Sequence, residues 1–175
     1  MLLASGKKTE ADNFASTWMK NHPKDAEFRA YEGELALARK DYAAAEKAYL
    51  GVLSLQPESV IALNNLAWIA GQLRKDSAIG YAEKANKLAP NQPAFMDTLA
   101  MLLAEKSDFG RAIDLQKKAL ALQPDNAGLQ LNLARIYIMS GDKVRAKGEL
   151  EELTKARQES RFRAEASALL KTLGS

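Results

Sequence analysis

Four prolines keep time along this chain. Pro23, Pro57, Pro90 and Pro124 are separated by 34, 33 and 34 residues, and three share an approach: Leu55-Gln56-Pro57, Leu88-Ala89-Pro90 and Leu122-Gln123-Pro124. A fixed period of this size marks a repeat array. Each unit is one supersecondary element that cannot bury its apolar face alone, so neighbours must stack. Turn signals recur inside the units at Gly6–Lys8, Lys40–Tyr42, Ser107–Phe109 and Gly141–Lys143. Between the turns apolar residues follow helical spacing, as in Leu63, Leu66, Ala67, Ala70 and in Leu99, Leu102, Leu103. The spacing predicts two helices per unit. Pro93 stands near the start of a helix, where its missing N–H costs nothing.

Family landmarks fall into the same register. The unit ending at Pro90 carries Leu63, Leu66, Ala67 and Ala70, then Ala78 and Ala82. The next carries Met96, Leu99, Ala100 and Leu103, then Ala112 and Gln116; the last carries Gln130, Leu133, Ala134 and Tyr137, then Ala146 and Leu150. The first full unit has Arg29, Glu32, Gly33 and Ala36, then Ala45 and Tyr49. This pattern resembles the tetratricopeptide repeat. The resemblance implies an all-α, right-handed superhelical solenoid of antiparallel helix pairs with a C-terminal capping helix. The repeats divide as 24–57, 58–90, 91–124 and 125–158, after the second helix of a truncated repeat at 1–23 and before a cap at 159–175. Ala45, Ala78, Ala112 and Ala146 let paired helices approach, and a larger side chain there overpacks by about 1–3 kcal/mol. The second unit is one residue short, around Gln72–Asp76.

The ends differ. Ala11, Phe14, Ala15, Trp18 and Met19 form an apolar stripe without a preceding partner helix, so the array reads as the end of a longer one. Leu2, Leu3 and Phe14 are expected to be exposed, with self-association through that end. Phe162, Ala166, Leu169, Leu170 and Leu173 form one stripe of a cap, with Arg161, Arg163, Glu165 and Lys171 elsewhere. Gln158 stands where a proline would continue the array.

Composition narrows the chemistry. The chain of 175 residues is 47% hydrophobic and 27% charged, as ordinary globular proteins are, and its net charge is +3. That charge does not argue for nucleic acid, and Arg157, Arg161 and Arg163 read as a solvated cap. With no cysteine, disulfides, thiolate metal sites and cysteine nucleophiles are excluded. No apolar run approaches the ~18 residues of a membrane-spanning helix, so no direct membrane insertion is expected. Asp108-Phe109-Gly110 and Gly6-Lys7-Lys8-Thr9 mimic nucleotide motifs by letter but occupy inner turns, and Thr9 with Asp12 reads as a cap pair. His22 is alone, Glu151 and Glu152 lie on a solvated face, and no cluster has metal-ligand spacing. A catalytic site, a metal and a cofactor are not expected.

The resemblance also implies a binding surface on the inner, concave side, lined by the first helix of each unit. Its slots hold Tyr31 and Glu34; Asn64, Asn65 and Trp68; Asp97, Thr98 and Met101; Asn132, Arg135 and Met139. In relatives that grip extended peptides, Asn at the slot of Asn65 and Asn132 bonds the peptide backbone; Tyr31 and Thr98 depart from it. An amide offers donor and acceptor together, and Trp68 with Met101 would form an apolar platform. Alternatively, Asn64 and Asn65 solvate the groove and Trp68 packs between first helices. Ala30 and Glu34 replace the Lys and Asn of chaperone-tail binders, which disfavours such a tail. Glu34, Asp97 and Glu105 against Arg135 suggest a neutral or basic partner segment. The stretches Asn64–Trp68, Asp97–Ala100, Tyr81–Ala85 and Leu88–Pro90 resemble the large tetratricopeptide lipoproteins of bacterial PEP-CTERM/exosortase exopolysaccharide systems. That resemblance implies an extracytoplasmic, lipid-anchored parent, although the chain itself carries no lipobox cysteine. The leading expectation is a protein or peptide scaffold; the alternative is a regulatory or multimerisation fragment of a larger protein with a functional domain upstream.

Overall fold

The computed structural model describes residues 8–155 and 160–174. Among them ten helices follow one another with no strand. These are α1 (Lys8–Asn21), α2 (Ala26–Ala38), α3 (Tyr42–Leu55), α4 (Val60–Gln72), α5 (Ser77–Leu88), α6 (Pro93–Glu105), α7 (Phe109–Leu122), α8 (Ala127–Met139), α9 (Lys143–Lys155) and α10 (Ser160–Leu173). The expectations for Leu2, Leu3, the Gly6–Lys7 turn, the Thr9/Asp12 side-chain pair, Arg157 and Gln158 fall outside the described residues.

Helices pair as α2/α3, α4/α5, α6/α7 and α8/α9, and each pair packs on the next. First helices also touch directly, α4 on α6, α6 on α8, and α8 on α10. The result is the all-α solenoid that the repeat pattern predicts. α10 therefore stands where a further first helix would. Its Ala166 is buried, and Phe162, Leu169, Leu170 and Leu173 pack onto Leu131, Leu150 and Leu153, so the expected cap stripe is the packed face.

The inner turns share one construction. Lys40, Arg74, Ser107 and Gly141 adopt φ of 58°, 54°, 63° and 82°. The N–H that follows each, in Asp41, Lys75, Asp108 and Asp142, donates to the carbonyl of Ala36, Ala70, Leu103 or Tyr137 at 2.8–2.9 Å. This left-handed closure satisfies helix-end carbonyls that would otherwise lack donors. Three turns then start the second helix with an aspartate cap, Asp41, Asp108 and Asp142 accepting from Ala44 N–H, Arg111 N–H and Arg145 N–H. The fourth cannot. The missing residue of the second unit lies between Arg74 and Ala78, so Lys75 takes the aspartate position and Asp76, one residue late, makes no side-chain cap. Ala78 N–H turns back to Lys75 at 3.3 Å, and α5 has 12 residues against 14 in α3 and α7. Lys75 instead pairs with Glu46 of α3 at 2.6 Å.

Two buried positions recur inside every hairpin: a small residue of the first helix and the residue four after the close-packed alanine of the second. The pairs are Gly33/Tyr49, Ala67/Ala82, Ala100/Gln116 and Ala134/Leu150, and all eight are buried. A Cβ on Gly33 would come within 2.7 Å of the Tyr49 ring, so the large ring requires the glycine. Ala45, Ala112 and Ala146 are wholly buried and Ala78 nearly so, as close helix approach demands.

α1 is held by rings. Trp18 lies 5.9 Å from Phe14, 5.9 Å from Phe28 and 4.2 Å from His22 between centroids, and its indole N–H donates to Asp25 at 2.9 Å. His22, alone in sequence, is thus the end of an aromatic cluster. Phe14 remains 53% exposed.

Candidate functional site

Residues four and seven apart lie on one face of a helix. On that rule each first helix presents one row: Glu27, Tyr31, Glu34 on α2; Ile61, Asn65, Trp68 on α4; Ala94, Thr98, Met101, Glu105 on α6; Asn132, Arg135, Met139 on α8. The stacking of α4, α6, α8 and α10 sets the last three rows and the cap side by side.

The rows of α2 and α4 are open. Tyr31 is 49% exposed, Ile61 61% and Trp68 42%. Trp68 meets Tyr42 of the preceding hairpin edge to face at 5.6 Å and keeps part of its surface open. Asn65 is half-buried and makes no side-chain hydrogen bond; its amide faces the buried Tyr49 hydroxyl without reaching bonding geometry. Burial raises the Tyr49 phenol pKa and the Glu34 charge adds to it, while the Asn65 amide opposes. The Asn64 Oδ1 acceptor is buried without a donor. Glu27 and Glu34 are exposed and have no ion-pair partner among the described residues.

The rows of α6 and α8 are tied together. Asn132 Nδ2 donates to both Asp97 oxygens, at 2.9 and 3.0 Å. Gln116 Nε2, from the second helix of the same hairpin as Asp97, donates to Asp97 at 2.6 Å and to the Leu129 carbonyl at 2.9 Å. Arg135 donates to Asn132 Oδ1 at 2.9 Å and, through its other nitrogen, pairs with Glu165 of α10. Burial raises the Asp97 pKa; the Asn132 and Gln116 amides and the Arg135 charge oppose it. Thr98 spends its hydroxyl on the Ala94 carbonyl, and Met101 packs into the core. Met139 is exposed.

The two asparagines assigned the same role therefore differ. Asn132 has both ends of its amide engaged, whereas Asn65 is unbonded. The cause is one position in the preceding unit. Asp97 stands before Asn132 in the stack, and the equivalent residue before Asn65 is Ala30, which offers no acceptor. Sequence reasoning overlooked Gln116 and Glu165 as parts of this surface. Gln116 had a signal: a polar residue in the slot filled elsewhere by Tyr49, Ala82 and Leu150. Among the described residues no group of His, Asp and Glu is placed to hold a metal ion, and no helix is long and apolar enough to cross a membrane.

Relatives point the same way. Residues 2–55, 32–93 and 102–173 match tetratricopeptide repeat families. Over 104 residues the chain is 32% identical to small glutamine-rich tetratricopeptide repeat-containing protein 2 of Mycosarcoma maydis, covering 59% of this chain and 30% of that protein. It is 29% identical over 114 residues to a TPR repeat-containing protein of Pseudomonas aeruginosa, covering 62% of this chain and 19% of that one. The chain thus spans a third or less of these relatives' lengths. Among solved structures it is similar to a tetratricopeptide repeat protein from Parabacteroides merdae (TM-score 0.84, 17% identity, 98% of this chain and 67% of that one). It is also similar to PilW, a type IV pilus biogenesis factor (0.76, 20%, 98% and 88%), and to YrrB, a TPR protein with an unusual peptide-binding site (0.73, 16%, 95% and 87%). At these identities the structures establish the fold alone. Both matching family models describe tetratricopeptide repeats. By sequence match over most of its length and by its stacked helical hairpins, the chain belongs to the tetratricopeptide repeat family, a scaffold fold suited to protein interaction.

Proposed function

We propose that the chain binds an extended segment of a partner protein along its inner face, with Tyr31, Ile61, Asn65 and Trp68 as the receiving residues. The observation that carries this reading is the exposure of three large apolar side chains on the rows of α2 and α4, which meet where Glu34 and Asn65 both face Tyr49, beside an unbonded amide. Apolar rings buried by a partner supply most of the affinity in such interfaces, and the amide can pair with a peptide bond. Asp97, Thr98, Asn132 and Arg135 contribute by shaping the far half of the face. A photo-crosslinker placed at Tyr31, with and without Asn65→Ala and Trp68→Ala, tests it. The expected result is partner segments crosslinked by the parent and lost in the double variant; equal crosslinking by both overturns the reading.

Two extensions go further. The motifs Asn64–Trp68 and Tyr81–Ala85 favour a parent protein in a bacterial envelope or exopolysaccharide export system, and a full-length gene with a lipobox supports it whereas an upstream catalytic domain removes it. The exposure of Phe14 favours self-association through the α1 end; sedimentation showing only monomer at high concentration counts against it.

A further inference from the structure

The inner face is divided, and the division carries information about the partner. The α8 row offers one cation, Arg135, and Glu165 neutralises it. The amide of Asn132 is held at both ends. What remains unpaired on the rows is acidic: Glu27 and Glu34 beside Tyr31, and Glu105 beyond Met101. Of the exposed apolar side chains, Tyr31 shares the α2 row with Glu27 and Glu34, Ile61 and Trp68 stand on the α4 row, and Arg135 belongs to α8. On α2 and α4 the rows themselves contain no Lys or Arg.

We propose that the α2–α4 half of the face is selective for an extended segment that carries a bulky apolar side chain flanked by Lys or Arg. This rests on the inner-face reading above and names its ligand chemistry. The apolar side chain covers Trp68 and Ile61, and the flanking ammonium or guanidinium groups meet Glu27 and Glu34. An acidic flank meets like charge there, and Arg135, the cation of the α8 row, is already paired with Glu165. Discrimination comes chiefly from charge, so it weakens with salt as exposed pairs do.

Three fluorescein-labelled nonapeptides test this by anisotropy at low salt: Gly-Lys-Lys-Leu-Phe-Leu-Lys-Lys-Gly, and the same peptide with Glu or with Ser in place of Lys. The basic peptide is expected to bind about fivefold or more tighter than the acidic one, the scale of one or two exposed ion pairs. Glu27→Lys with Glu34→Lys should reverse that order. Glu83→Lys with Glu152→Lys, the same charge change on exposed positions of the second helices α5 and α9, should leave it. Trp68→Ala should weaken every peptide that binds. If the acidic peptide binds as well as the basic one, or the order survives Glu27→Lys with Glu34→Lys, the charge assignment is wrong while loss on Trp68→Ala still upholds inner-face binding. If no peptide binds, or Trp68→Ala changes nothing, both readings fall.

Discussion

Asn65 and Asn132 occupy the same slot of two repeats, yet one is free and the other is clamped between Asp97 and Arg135. The halves of the inner face to which they belong differ in the same way. The α2–α4 half is exposed, apolar and acidic, and its amide at Asn65 is unbonded; buried polar atoms without partners occur in both halves, on Asn64 and Tyr49 and on Gln116 Oε1. The α6–α8–α10 half is cross-linked by a chain of polar contacts running from Gln116 through Asp97, Asn132 and Arg135 to Glu165. The difference teaches that in a stacked array the meaning of a slot is set one unit away. Replacing Ala30 by an aspartate would, on this logic, sequester Asn65 as Asp97 sequesters Asn132.

The largest expected effect tests whether the halves are energetically separate. Leu150 is wholly buried between α8 and α9, far along the chain from both tryptophans, Trp18 and Trp68. Leu150→Ala should destabilise the C-terminal half by about 2–5 kcal/mol. Far-UV circular dichroism, which reads all helices, should shift to lower urea more than tryptophan fluorescence, which reads the first half; coincident curves would join the halves into one unit. Next in size, Asn132→Ala removes donors from a buried carboxylate and should cost about 1–3 kcal/mol, whereas Asn65→Ala, which breaks no bond, should stay within about 0.5 kcal/mol. Urea midpoints of the two variants decide it, and equal losses would erase the contrast.

The smallest effect is in pH. Burial raises the Asp97 pKa above its ordinary 3.8, so the folded state binds its proton more tightly than the unfolded one. Stability from this group is then greatest below 3.8 and falls as pH rises through the raised value. Asp25 and Asp142 run oppositely. Hydrogen bonds from backbone N–H groups, Phe28 for one and Arg145 for the other, lower their pKa values, so their contribution is present above 3.8 and lost on acidification. The stability of the parent minus that of Asp97→Asn, followed by urea titration across acid pH, should decline with rising pH and then level off. A difference that rises with pH would mean that ionised Asp97 is stabilised by its amides more than burial penalises it.

Much of this was legible in the sequence, and particular residues show where legibility stopped. The proline period, the alanines at 45, 78, 112 and 146 and the cap stripe of α10 are repeated or periodic, so each is stated more than once in the chain. The Gly33/Tyr49 match was not legible: both residues stand in the repeat pattern, but only the packed hairpin shows that the ring requires the glycine. The Asp97–Asn132 bond is different. It joins residues 35 apart, fits no repeated pattern, and depends on a carboxylate drawn inward by a buried glutamine that occurs in one unit only. Periodicity says which face a side chain lies on; it is silent on whether that side chain is already spoken for.

The uncapped turn of α5 has a consequence for motion. An array whose units touch only their neighbours opens at its weakest joint. The other three inner turns receive an aspartate that holds a leading N–H, a contribution of about 1 kcal/mol, and the Arg74–Ala78 turn receives none. Amide protons of Ser77–Gly80 should therefore exchange with deuterium first among the inner hairpins. What frays there is the first turn of α5, while the packing of α4 on α5 and on α6 holds the hairpin together, so a ligand on α2 and α4 keeps its footing as the hairpin tip breathes.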